Sequence, residues 1–242
     1  MSRIADNVQQ IHHQIADACA KSGRDPSSVK LIAVSKRKPV ADILEAVRAG
    51  VQHFGENRVE EAEEKISAVM EELTDQRPMW HMVGHIQSRK ARDIPGLFDV
   101  VHSVDSLKLA QKLSRQIGNG TTPLPVLIQV NTSGEDRKSG LSAFDWQSSD
   151  DVRTLLVQQV RAIVELPHLH VQGLMTMAPI VDHIEAVRPV FKSLAELRQM
   201  LNETLSLTLT ELSMGMTDDF PVAVEEGATM VRVGRAIFGE RD

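Results

Sequence analysis

The sequence predicts an α/β fold: a single-domain, closed (β/α)8 TIM barrel over residues 1–242. Three observations carry the prediction. Short apolar runs alternate with helical periodicity about eight times along the chain. Those runs lack the polar alternation of a half-solvated sheet, as expected of parallel strands covered on both faces. The length of 242 residues matches the ~250 that such a barrel typically uses, and no Pro/Gly/Ser-rich linker divides the chain. An open doubly wound sheet is the alternative arrangement of the same elements.

Residues 2 to about 21 form the first predicted helix, with Ile4, Val8, Ile11, Ile15 and Ala18 on one face and Gly23 as its stop. It precedes the first strand and is expected to cover one end of the barrel. Leu31-Ile32-Ala33-Val34 then runs straight into Ser35-Lys36-Arg37-Lys38. Pro39 cannot continue a sheet but suits a first helical turn. The next helix turns Val40, Ile43, Leu44 and Val47 inward and ends at Gly50. Residues 51–55 give the second strand. Glu56-Asn57-Arg58 opens a long helix to about Leu73, whose glutamates read as a solvated face. Strands are predicted at 79–84 and 98–102, each followed by a helix, near 87–90 and over 103–117. Residues 125–131 are the clearest strand. The stretch 132–150 is long for a connection and is a candidate functional loop or lid. A helix at 151–165, a strand at 169–175, a helix from Asp182 to about Leu201, a strand at 209–213, a helix at 218–226 and a last strand at 229–234 complete the pattern.

Composition removes several functions. A net charge of −6 argues against general nucleic-acid binding. One cysteine, Cys19, allows no internal disulfide and no cysteine-based metal site, and suits a reducing compartment. No signal peptide and no long apolar run is found, so a soluble cytoplasmic protein is expected, without a membrane partner. The chain has no tyrosine, which excludes every mechanism that needs one as acid, base or phosphate ligand.

In such a barrel the carboxyl ends of the strands share one mouth, where ligands and chemistry gather. Those ends bring together Lys36, Asn57, His81, His102, Asn131, Thr176, the Ser213-Met214-Gly215 turn and the Arg232-Val233-Gly234-Arg235 segment. A partly desolvated lysine can lose its proton and attack a carbonyl; a solvated lysine beside Arg37 and Lys38 is the alternative reading. The loops after the last two strands are the recurrent phosphate cradle of these barrels, and here each carries a glycine and a helix start. An amine opposite a phosphate cradle calls for a phosphorylated aldehyde or ketone. Pyridoxal phosphate meets both demands. Arg232 would then face the pyridine nitrogen and, having no proton to accept, keep it unprotonated. A buried arginine otherwise needs an anionic partner. Ser213 and Gly215 also read simply as a cap and a turn. The His81/His85 spacing lacks a His-Glu-x-x-His pattern, so zinc is not expected.

Taken together, Ala33-Val34-Ser35-Lys36, Phe54-Gly55-Glu56-Asn57-Arg58, Trp80-His81-Met82-Val83-Gly84-His85, Gly173-Leu174-Met175-Thr176, Leu212-Ser213-Met214-Gly215-Met216-Thr217 and Val231-Arg232-Val233-Gly234 resemble the pyridoxal phosphate homeostasis (YggS/PROSC) family over nearly the whole chain. The family is similar in fold to the barrel domain of alanine racemase, the fold-type III pyridoxal enzymes. The resemblance implies a pyridoxal 5'-phosphate aldimine on Lys36 and Arg232 at the pyridine nitrogen. It implies that Ser213, Gly234 and Arg235 help hold the phosphate, with Asn57 and Met214 as further contacts. The implied role is to bind and deliver the cofactor and keep vitamin B6 and amino-acid pools balanced, without catalytic turnover. Apo forms of pyridoxal-dependent enzymes are the candidate recipients, and a monomer is expected. Thr217 departs from a more usual serine, and His85 from other residues common there.

Two enzymatic readings compete. A fold-type III amino-acid racemase needs a second base, a tyrosine from a C-terminal β-domain in alanine racemase-like enzymes; this chain has no tyrosine and no residues left over for that domain, though His81 remains a possible base. A Schiff-base aldolase would need a carboxylate at the mouth, for which Glu56 and Glu211 are the candidates.

Overall fold

In the computed structural model, which describes residues 2–73, 76–118, 122–135 and 138–240, parallel strands close into a ring. Around the wall run β1 (Lys30–Val34), β2 (His53–Glu56), β3 (Met79–Met82), β4 (Val100–Val104), β5 (Leu124–Asn131) with the short β6 (Leu141–Ser142) beside its end, β7 (Leu169–Met175), β8 (Glu211–Ser213) and β9 (Met230–Val233). β9 pairs back onto β1, placing Ile32 opposite Arg232 and Ala33 opposite Val233. The register slips between Val101 and Val104 on β4, and again between Val126 and Leu127 on β5.

Helices cover the wall: α1 (Arg3–Lys21), α2 (Val40–Arg48), α3 (Val59–Glu72), α4 (Leu107–Gln116), α5 (Asp150–Val164), α6 (Arg188–Leu205), α7 (Phe220–Glu225) and α8 (Arg235–Phe238). Serine hydroxyls start three of them, accepting from a backbone N–H in the first turn: Ser2 from Ala5, Ser106 from Leu109 and Ser149 from Val152. The connection from β3 to β4 holds only a 3-10 helix, Ser88–Asp93.

Several boundaries differ from the sequence pattern for identifiable reasons. β4 runs on through Ser103 and Val104, because Ser103 Oγ donates to the Gly84 carbonyl at 2.6 Å and the helical signal waits for the Ser106 cap. Glu56 ends β2 rather than opening α3. A 3-10 helix, Ile184–Val187, precedes α6, whose first turn holds Pro189. The first helix does not cover a barrel end. It lies in the outer layer against α2, α7 and α8, where Asn7 Nδ2 donates to the Ile237 carbonyl at 2.9 Å. Arg24, just after it, donates to the carbonyls of Val224 and Ala228 at 2.7 and 2.8 Å.

Strand alternation divides the apolar residues into two layers. The large core lies between wall and helices and includes Phe54, Trp80, Leu113, Phe191 and Phe238, all nearly inaccessible. Burying each such side chain contributes about 1.5–3 kcal/mol, so this layer supplies most of the hydrophobic stabilisation. The ring interior holds only a small separate cluster, Ile32, Leu127, Met175 and Met230. Val83 and Met177 pack against it from the partly buried side, and polar side chains, His53, His81, His102, Ser213 and Arg232 among them, occupy much of the rest.

One glycine fixes the wall itself. A Cβ on Gly173 would lie 1.9 Å from the Glu211 carbonyl oxygen and 2.6 Å from its carbon, because β7 and β8 pair there at close approach. Gly173→Ala should cost at least about 2–3 kcal/mol, since the clash is with paired backbone. A lowered urea midpoint checks this; a midpoint equal to that of the parent protein would show that the wall can shift to admit a methyl group.

Candidate functional site

β1 ends at Val34 and delivers Ser35 and Lys36 to the carboxyl rim. This turn is held from behind. The Ser35 N–H donates to the Gly55 carbonyl at 3.0 Å, and the buried ammonium of Lys65, on α3, donates to the Ser35 carbonyl at 2.8 Å. Lys65 also bonds Glu56 Oε1 at 2.7 Å and Glu61 Oε1 at 2.8 Å, and Ser35 Oγ donates to Glu56 Oε1 at 2.6 Å. Arg37 takes the left-handed conformation, φ 59°, uncommon outside glycine, and its N–H donates to Glu61. Lys36 itself is half-buried between these two anchored residues.

The rim continues on β9. Register places Gly234 next to Val34: a Cβ there would come within 3.2 Å of the Val34 carbonyl oxygen. In α8, which follows at once, the Ile237 and Phe238 N–H groups donate to the Gly234 carbonyl at 3.0 Å each, and the N–H groups of Arg235 and Ala236 precede that first intrahelical bond. The loop after β8 turns through Gly215 at φ 91°, where a Cβ would sit 2.7 Å from Ala223 Cβ and 2.8 Å from Phe220 Cα. Only glycine serves both the backbone angle and the packing against α7. The half-buried Thr217 places a hydroxyl on the same loop.

Beneath the rim lies Arg232, only 5% exposed. Its guanidinium donates to Ser213 Oγ at 2.6 Å and to the Thr176 carbonyl at 2.9 Å. Among the described residues it makes no salt bridge. Burial pushes its pKa down to about 10, and the more distant Asp219 carboxylate raises it. Both acceptors are neutral: among the described residues, the anionic partner that a buried arginine needs does not contact it.

A hydrogen-bonded column fills the ring interior below. His102 Nδ1 lies 2.8 Å from Ser213 Oγ, His81 Nδ1 lies 2.8 Å from His102 Nε2, and His53 Nδ1 lies 3.0 Å from His81 Nε2. β4 and β8 are not neighbours in the wall, so the His102–Ser213 bond crosses the interior. Burial, then His53 and Lys30, lower the His81 pKa to about 3. Burial, then His81 and Arg232, hold His102 well below the usual imidazole range. The sequence places these histidines at the mouth as available groups. The structure sets them mid-wall with both nitrogens of His81 engaged, so His81 is not poised as a base. His53, at the foot of the column, was not singled out; the readable signal was an inward position on each of three successive strands.

The other predicted positions separate into groups. Lys36 and Gly234 share the β1–β9 rim, above Arg232. Asn57 is half-buried on the rim with its backbone against Gly84, where a Cβ would meet the Asn57 carbonyl oxygen at 2.3 Å. Ser213 turns its hydroxyl inward to Arg232 and His102, toward the position expected for a ring nitrogen and not toward the phosphate loops. Met214 packs its side chain in the outer core, leaving only its backbone at the turn. The exposed Arg235 guanidinium pairs with Asp218 and Glu240, so what it brings to the rim is its N–H. Neither candidate aldolase carboxylate reaches the mouth. Glu56 is buried outside the ring against Lys65, and Glu211 pairs with Lys30 at 2.7 Å where β1 and β8 begin. The long stretch after β5 is partly folded rather than a free lid: β6 pairs with β5, and Trp146 Nε1 donates to Ser193 Oγ at 2.9 Å. Residues 136 and 137 of that stretch lie outside the described residues.

A ring of parallel strands wrapped by helices places the chain in the barrel class of the alanine racemases. The family described as alanine racemase, N-terminal domain, matches residues 7–242. Alanine racemase from Corynebacterium glutamicum shares the fold, with TM-score 0.65 and 18% identity over 99% of this chain and 60% of that one. The pyridoxal phosphate homeostasis protein of Vibrio alginolyticus is 44% identical over 242 residues, 100% of this chain and 99% of that protein. PipY of Synechococcus elongatus PCC7942, solved with PLP bound, aligns with TM-score 0.75 and 39% identity, covering 93% of this chain and 100% of that one. The chain belongs to the pyridoxal phosphate homeostasis protein family.

Proposed function

We propose that this protein binds pyridoxal 5'-phosphate covalently through Lys36 and holds it for delivery to other proteins, as part of vitamin B6 and amino-acid homeostasis, without catalytic turnover. One observation carries the reading: the Lys36 turn and the Gly234 turn adjoin on one rim, above a buried arginine that forms no salt bridge among the described residues.

The residues present fit the cofactor. Lys36 offers the amine, and the Gly215 and Gly234 turns, with the N–H of Arg235, offer room and donors to a phosphate. Asn57, half-buried on the same rim, would be a further contact. When bound, the cofactor supplies an aldehyde and an electron-withdrawing ring; Arg232 can only donate to the ring nitrogen, which leaves that nitrogen unprotonated and the ring a weak electron sink. That favours storage over carbanion chemistry. The engaged nitrogens of His81 further support a carrier over a racemase. A monomeric, cytoplasmic barrel with apo-enzymes as recipients completes the proposal. The single cysteine, Cys19, is buried, and no helix among the described residues is long and apolar enough to cross a membrane.

The direct test is borohydride reduction of protein loaded with pyridoxal phosphate, followed by peptide mass analysis. One pyridoxyl group on the peptide containing Lys36 is the expected product; a protein that takes up no pyridoxal phosphate would end the proposal. Arg232→Ala should weaken retention about 10- to 100-fold, the worth of a hydrogen bond to a charged group, as read by equilibrium dialysis. Retention equal to wild type would remove Arg232 from the site.

A further inference from the structure

The interior column has a direction, and the direction follows from one end. A guanidinium carries donors only, so Ser213 Oγ accepts from Arg232. The single hydroxyl proton of Ser213 is then free for its other partner, His102 Nδ1. His102 is buried and neutral, so with Nδ1 accepting, its proton sits on Nε2 and is donated to His81 Nδ1. The same reasoning puts the His81 proton on Nε2, donated to His53 Nδ1. Every link therefore turns its electron-rich end toward Arg232. The nitrogens pass from one to the next instead of converging on a point, and among the described residues no group of His, Cys, Asp or Glu is arranged to hold a metal ion.

This answers how a buried arginine persists without a carboxylate in hydrogen-bond contact, Asp219 acting only from a distance. A carboxylate would solvate the charge but cancel it and occupy its donors. Three aligned neutral imidazoles acting through one hydroxyl stabilise the charge by their dipoles and leave it uncancelled.

We propose that His102, fixed in its Nε2–H form by His81 and His53, is a positioning residue for Arg232: through Ser213 it holds the guanidinium in place and leaves its other N–H groups for the pyridine nitrogen of the bound ligand. The proposal rests on the function proposed above and adds residues that do not touch the ligand.

The experiment has two readouts. Nitrogen-15 spectra of the ligand-free protein should show His102 with Nε2 protonated and Nδ1 bare, unchanged between about pH 6 and 9; an imidazolium, or a proton on Nδ1, overturns the column. Titration with pyridoxal phosphate then compares wild type with His102→Leu and His102→Gln. His102→Leu should retain the cofactor at least about tenfold less tightly and shift the absorption maximum of the bound form, while borohydride still fixes one pyridoxyl group on Lys36. His102→Gln, whose amide offers one acceptor and one donor, should recover most of both effects. If His102→Leu does not fold, Ser213→Ala breaks the column next to Arg232 and carries the same expectation. Wild-type loading beside an unaffected, folded His102→Leu overturns this proposal alone. Wild-type protein that takes up no cofactor overturns the proposed function and this inference with it.

Discussion

Lys36→Ala should abolish the borohydride-fixed pyridoxyl group and the visible absorbance of the loaded protein, while leaving urea stability within about 0.5 kcal/mol of the parent. The expectation follows from how the turn is built. The bonds described for it include the Ser35 N–H, carbonyl and hydroxyl, the Arg37 N–H and the Lys38 N–H, which donates to the Ser35 carbonyl at 3.0 Å. The Lys36 side chain is half-buried at a strand end, where truncation leaves no sealed cavity. The proposed covalent bond, by contrast, would depend on the one amine that this turn carries. Mass analysis after reduction checks the first half and a urea titration the second. A pyridoxyl group appearing undiminished at another lysine, such as Lys38 or Lys138, would relocate the site. Collapse of the fold would make Lys36 a structural residue.

The second large effect is acid lability. His81 has a folded pKa of about 3 against an ordinary 6.5, and His102 lies well below its ordinary value. Between those values the unfolded chain binds protons that the folded protein refuses. The stability these groups permit is therefore complete above about pH 6.5 and is lost as pH falls toward the folded pKa. For His81 alone the displacement is worth on the order of 5 kcal/mol, against a total of about 5–15 kcal/mol for a typical domain. Glu56 and Asp219, whose carboxyl pKa values burial raises, act in the opposite sense and offset part of the loss. The urea midpoint should fall steeply from about pH 6.5 to 4.5, and His81→Gln should flatten that slope. A midpoint independent of pH across this window would mean the interior imidazoles are not held neutral.

Most of the barrel could be read from apolar periodicity, because parallel strands and amphipathic helices leave distinct repeats. The strand of Leu169–Met175 falls on its predicted residues, and α1 buries the five side chains named for it. Boundaries moved where a single hydroxyl or proline overruled the pattern, as at Ser103, Ser106 and Pro189. The site was less legible. Lys36 and Gly234 announce themselves by following apolar runs. The inward turn of Ser213 and the outward turn of Met214 depend on strand parity, which a one-residue shift reverses. Glu56 was misread as solvated because its partner, Lys65, is a turn and a half into the next helix and looks like any surface lysine. The histidine column was invisible as a unit: its bonds join residues 21, 28 and 111 positions apart, and only closure of the ring makes them neighbours.

The grip of Lys65 on the Ser35 carbonyl has a consequence for the order of folding. The strand that carries the amine can form with its neighbours β2 and β9, yet the left-handed bend of the turn beyond it is held from α3, where Glu61 accepts the Arg37 N–H and Lys65 bonds the Ser35 carbonyl. Until α3 docks, the backbone at Arg37 has no reason to leave its relaxed conformation. If Lys36 carries the cofactor as proposed, a nascent barrel with that helix still loose would hold the lysine without aiming it, so cofactor capture should be among the last properties the refolding chain recovers.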